Sequence, residues 1–270
     1  LTISCQEDTI KSVVLSDHYR LDKEIILLLV FAVFLIAFAG KNGIQAVLSF
    51  GITVLVIWKI LVPCYLKGYS PVWTGILITV ILTVMIIFFV YGADIRTVTA
   101  SAGSLLGVAV TCVLGILFTD LFRIHGAVMP NAESLLYSGY QDLDLTSIFM
   151  SSIFIGASGA MMDLSVDITS AVHEVIEKRP ELTWWEAAKS GMNVGRAAMG
   201  TMTTTLLLAY SGSCITLIMV FMAQGTPITH ILNYKYVAAE LLDTVVGSFG
   251  LVTVAPFTAL VSGLLLTKRK

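Results

Sequence analysis

Two carboxylates, Asp163 and Asp167, stand four residues apart inside the otherwise apolar run "GASGAMMDLSVDITSAVHEV" (Gly156 to Val175). That spacing puts both on one face of a helix. A charge near the centre of a bilayer costs roughly 2.5–3.5 kcal/mol on insertion scales, so such acids face water or a protein interior and often belong to ion and proton pathways. Two acids within reach of one another titrate as a coupled pair, which is the chemistry a proton carrier needs. A packing role is the alternative: one acid reaches for the membrane surface while the other hydrogen-bonds a neighbouring helix. The residues leave both open.

Further along, "GTMTTTLLLAYSGS" sets Thr201, Thr204 and Thr205 on or beside one helical face. Their hydroxyls are suited to donate to an aspartate on the next helix, or to bond back to their own i−4 carbonyls. Glu240 and Asp243 fall in the first two turns of the last apolar run, near the membrane surface, and Glu240 is taken as a second-tier participant. The stretch "HEVIE" (His173, Glu174, Glu177) lacks the second imidazole of a zinc-protease helix. The four cysteines make no metal-binding pattern, and there is no phosphate-binding glycine loop or Ser/His/Asp set. The expectation is a protein that is not an enzyme, with no metal, cofactor or nucleotide.

The elements that must position these groups follow from composition. The chain has 270 residues, 57% hydrophobic and 13% charged, against about half and a quarter in soluble domains. Its mean hydropathy is +0.90. The excess lies in runs of about 20 residues, long enough to cross hydrocarbon as helices. Seven spans are expected, at about 24–40, 44–63, 71–91, 98–119, 146–172, 200–222 and 236–266. Residues 1–22 are polar with a strand-like piece and are expected to be the remnant of an extracytoplasmic segment, followed by one transmembrane domain over 23–270. A net charge of -2 argues against nucleic acid as a partner.

Lys and Arg gather in segments that include Arg96, Lys178, Arg179 and Lys268, so the N-terminus is expected outside and the C-terminus inside. The loop over 120–145 is acidic and expected to be part helical. In "RPELTWWEAAKSGMNVGRAAMG", Thr183 and Glu186 form a capping box for a helix over about 183–199. Trp184, Trp185, Lys189 and Arg196 suit a position along the inner membrane surface. Gly191 and Gly195, like Gly156 and Gly159 in the fifth span, permit close helix packing.

The stretches "GASGAMMDLSVDITSAVHEV", "KSGMNVGRAAMGTMTTTLLLAYSGS" and "AAELLDTVVGSFGLVTVAPFTALVSG" resemble the YibE/F family of bacterial membrane proteins. The order of Asp163, Gly191 and the Thr203–Thr205 run is also similar to SecD/SecF and RND-type permeases. The first resemblance implies a bacterial cell membrane; the second implies that the all-α bundle of about seven helices with its interfacial helix is an RND/SecD-like half-bundle, with proton- or ion-coupled transport or export and a homodimer or paralogous partner. A non-transporting scaffold or assembly factor is the alternative. The somewhat longer inner loop, the extra 24–63 hairpin and an Asp167 without a counterpart depart from the permease pattern.

Overall fold

The apolar runs fold as helices. The computed structural model describes residues 2–6, 9–14 and 19–268, with the backbone alone for 2–6, 9–14, 210 and 213. The expected remnant over 1–22 therefore lies partly outside the described residues, as do Arg269 and Lys270 of the terminal basic cluster. The chain divides into two units, Leu1–Phe50 and Gly51–Lys270.

In the first unit, strands β1 (Thr2–Gln6) and β2 (Thr9–Val14) pair antiparallel, with Thr2 opposite Val14. Helix α1 (Leu21–Ala39) ends at Gly40, whose φ of 56° suits glycine, and α2 (Lys41–Val56) follows at once. A Cβ on Gly43 would stand 2.5 Å from the carbonyl oxygen of Leu35, so only glycine lets the chain double back this tightly.

Helix α2 runs on across the division into a wide turn, Ile57–Leu61, and α3 (Val62–Leu66). Pro63 brings no N–H to the ladder there, and the Val62 N–H reaches back five residues to Ile57. Helix α4 (Pro71–Tyr91) starts on a proline suited to the first turn and stops at Gly92, φ 71°. After α5 (Ile95–Leu121) the chain forms a 3-10 turn at Gly126–Val128 and a short α6 (Ala132–Tyr137), so the acidic loop is part helical. Then come α7 (Leu145–Lys178), α8 (Trp184–Ala223), α9 (Ile228–Leu232) and α10 (Lys235–Thr267).

Helices α5, α7 and α10 form the centre, flanked by α4 on α7 and by α8 on α10 and α7. Small residues set the spacing. A Cβ on Gly103 would collide with the Thr258 hydroxyl and stand 2.7 Å from its Cα, and one on Gly115 would stand 2.9 Å from the ring of Phe154. Without a hydrophobic force between helices in lipid, such close backbone approach is what makes packing favourable.

Two expectations need correction. Among the described residues, five helices are long and apolar enough to cross a membrane, or six if the two arms of α8 count as one span, rather than about seven. The run expected at 24–40 is not among them. Asp22, Lys23 and Glu24 open α1, and the uncharged part from Ile25 to Ala39 is about 22 Å long, short of the ~30 Å of hydrocarbon. Nor is there a separate surface helix over 183–199. The capping box is present, yet it starts one helix that continues to Ala223, bent by 64° between Ala209 and Cys214 where Ser and Gly interrupt it. Its first arm runs antiparallel along α10. Gly263 lies under Ala188, Gly191 is close to Ala259, and Gly195 is close to Ala255, each step four residues on one helix and about four back on the other. Residues 184–199 thus form the first part of an arm packed along α10, not a helix of their own.

Candidate functional site

Helix α7 carries the two candidate acids, and its start is set by Asp144. That carboxylate accepts from the Thr146 and Ser147 amides, each at 3.1 Å, and from the Ser147 hydroxyl at 2.5 Å. The Ser147 hydroxyl, with the two amides, holds the Asp144 carboxyl below the usual carboxylate range.

Around α7, each face has a neighbour except one. Ser165 donates to the Ala100 carbonyl of α5 at 2.7 Å and lies 2.9 Å from Thr258 Oγ1 of α10. Thr169 lies 3.4 Å from Ser262 Oγ on the same side. Ile168 and Val172 pack where Gly191 and Gly195 of α8 leave room: Cβ atoms there would stand 2.7 Å from Val172 and 3.1 Å from Ile168. On the α4 side, Tyr91 donates to the Val166 carbonyl at 2.6 Å and lies 2.6 Å from Ser170 Oγ. Arg96, bonded to Asp94 at 2.7 Å, sits 5.1 Å from the Tyr91 ring centre.

The remaining face holds Gly156, Asp163, Asp167 and Glu174, all exposed. Among the described residues neither Asp163 nor Asp167 has a hydrogen bond or ion pair. Their depth is bracketed by two contacts on α5. Met161 lies against Thr111 and Ser165 against Ala100, so Asp163 is level with the middle of a helix that runs from Ile95 to Leu121. A single copy therefore turns two carboxylates outward at hydrocarbon depth, where hydration is lost and the cost of charge is highest.

The threonines do not join them. Thr201, Thr204 and Thr205 donate to Ala198, Gly200 and Thr201 of their own helix at 2.9 Å, and Thr203 to Met199 at 2.8 Å. Thr203 and Thr204 instead line a cavity of about 390 Å³ with Thr244, Ser248 and Val252 of α10. Of the glycines, Gly191 and Gly195 are buried between helices, Gly156 is exposed, and a Cβ on Gly159 would meet nothing within 4 Å. Glu240 is half-buried near the start of α10, one turn before Thr244, whose hydroxyl bonds its carbonyl at 2.9 Å.

Two features stand apart from the sequence reading, one unseen there and one placed at the membrane surface. One is the Ser165–Thr258–Ala100 junction of the three central helices. The other is Asp243, whose Oδ1 is buried with no hydrogen-bond partner among the described residues, an arrangement that is costly for a charged oxygen. A signal was available: Asp243 shares a helix face with Ala239, Gly247 and Gly250, the small residues of close packing. Among the described residues no three His, Cys, Asp or Glu side chains are grouped to hold a metal ion. A cavity of about 720 Å³ lies at the other end of α10 from the level of the acids, beside Arg123, His125 and Lys235.

Helices of membrane-crossing length, hydroxyl-linked at the centre and carrying carboxylates at mid-depth, define a polytopic α-helical membrane protein. More narrowly, the chain belongs to the YibE/F family, whose model, described as YibE/F-like protein, matches residues 27–268. Comparison with curated proteins and with solved structures returned no match.

Proposed function

We propose that this chain is a transport or export component of a bacterial cell membrane, coupled to protons or another ion through Asp163 and Asp167. The observation that carries the reading is the position of these two carboxylates at mid-depth on α7 without an in-chain hydrogen bond or ion pair. Groups that only pinned helices together would be expected to have such partners, as Ser165 and Thr169 do. The order of Asp163, Gly191 and the threonine run, similar to that of SecD/SecF and RND-type permeases, supports the same class. The bias of Arg96, Lys178, Arg179 and Lys268 to one end of the bundle, against Lys67, Arg123 and Lys235 at the other, supports a C-terminus inside.

Ion flux in proteoliposomes under a pH gradient tests the reading. Asp163→Asn keeps size and hydrogen bonding but cannot release a proton, so the variant should insert normally and lose coupled flux. Full flux in Asp163→Asn between about pH 5 and 8 would end the coupling role. A second reading, a non-transporting scaffold or assembly factor, draws on the hydroxyl bonds of Thr201, Thr204 and Thr205 to their own helix, which remove them as partners for the acids. It expects Asn to be harmless at both positions.

A further inference from the structure

The acids are not the only charge turned outward at this depth. Arg196 of α8 is exposed, and no hydrogen bond or ion pair joins it to any described residue. It follows Gly195, which is close to Ile168 of α7 and Ala255 of α10, and Gly191 beside it is close to Ile168 and Val172. Helices α7 and α8 run in opposite directions, so Arg196 lies between the levels of Asp167 and Asp163. Three unpaired ionisable side chains thus share one depth.

They sit on opposite flanks of α8. On α7, Asp163 and Asp167 occupy the arc between the α4 contacts at Val166 and Ser170 and the α8 contact at Ile168. On α8, Arg196 precedes Thr203 and Leu207 by seven and eleven residues, so it continues the stripe that faces the outer side of α10. Between these flanks α8 presents an exposed ridge of Asn193, Ala197, Gly200 and Thr204, and a Cβ on Gly200 would meet nothing within 4 Å.

A twofold axis along the membrane normal keeps depth and exchanges left for right. Applied at this ridge, it sets the acids of one copy opposite Arg196 of the other, twice. From this charge complementarity we infer that a second copy of the chain docks here, α8 against α8 along the small-residue ridge, with each Arg196 guanidinium bridging Asp163 and Asp167 of its partner. Bidentate pairing suits a planar guanidinium and two carboxylate groups, and a small-residue ridge permits close approach in lipid. The proposal builds on the acid face of the functional reading by naming what covers it, and its readout is independent of flux.

The test is disulfide cross-linking of the full chain in membranes, with the native cysteines replaced by serine and Ala197→Cys introduced on the ridge. The parent should form a cross-linked dimer on oxidation. Arg196→Glu alone and Asp163→Lys/Asp167→Lys alone should each lose it, because like charges then meet at both sites. Co-expressed with different tags, the two variants should cross-link to each other, since both of their mixed sites are attractive; that rescue also proves that each variant folds. No cross-link in the parent, a cross-link indifferent to Arg196→Glu, or no rescue in the mixture would overturn the dimer. Flux that survives Asp163→Asn would overturn the coupling role and leave the dimer standing.

Discussion

Thr258 donates its hydroxyl hydrogen to Ser165 across 2.9 Å, because Ser165 has already given its own to the Ala100 carbonyl at 2.7 Å. One serine thereby ties α10 to α7 and α7 to α5. Ser165→Ala removes both bonds and takes the acceptor from the buried Thr258 hydroxyl, whereas Thr258→Val removes one bond. Interhelical hydrogen bonds in membranes average about 0.6 kcal/mol, reaching about 1.7. Unfolding in detergent should place Ser165→Ala at the upper end of that range and Thr258→Val nearer the mean. The double variant should cost less than the sum.

Glycine to alanine should change sign along the bundle. At an open helical site the exchange gains up to about 1 kcal/mol of helix propensity, so Gly159→Ala should be neutral or stabilising. Gly103→Ala and Gly263→Ala press a methyl onto backbone atoms, of Thr258 in one case and of Trp184 and Ala188 in the other. These should cost about 1–3 kcal/mol, as overpacking does, in the same melts.

If the first arm of α8 crosses the membrane, a cysteine at Asn193 is shielded from water on both sides. Membrane-impermeant maleimide added to intact cells or to inverted vesicles should leave Asn193→Cys unlabelled, while Glu181→Cys in the preceding loop reacts from one side. Ready labelling at 193 would return residues 184–199 to the membrane surface.

The cap at Asp144 predicts a pH dependence. Its carboxyl is held below its ordinary range by Ser147 and the helix amides, so the folded state favours the ionised form. The stabilisation is therefore complete above the unfolded carboxylate range near pH 4 and is lost as pH falls through the lower folded value. Asp144→Ala should cost about 1 kcal/mol at pH 7. Melting curves of wild type and variant should converge towards pH 3, and a constant gap across that range would exclude the cap as its cause.

Much of this fold is written in local pattern. Long apolar runs announce helices that need lipid, the Thr183–Glu186 box announces the start of α8, and four-residue spacing puts Asp163 and Asp167 on one face. All of these depend on residues within one or two turns of each other. The direction of that face is a different matter. In water, polar residues mark the outside of a helix; in a bilayer the lipid is as apolar as the core, so composition does not separate the two sides. Tertiary packing alone decided that Ser165 points inward and Asp163 outward, that the threonines of α8 keep to their own backbone, and that residues 184–199 stand against α10. Each depends on which small residue meets which neighbour, Gly191 against Val172 or Gly103 against Thr258, and those partners are distant in sequence.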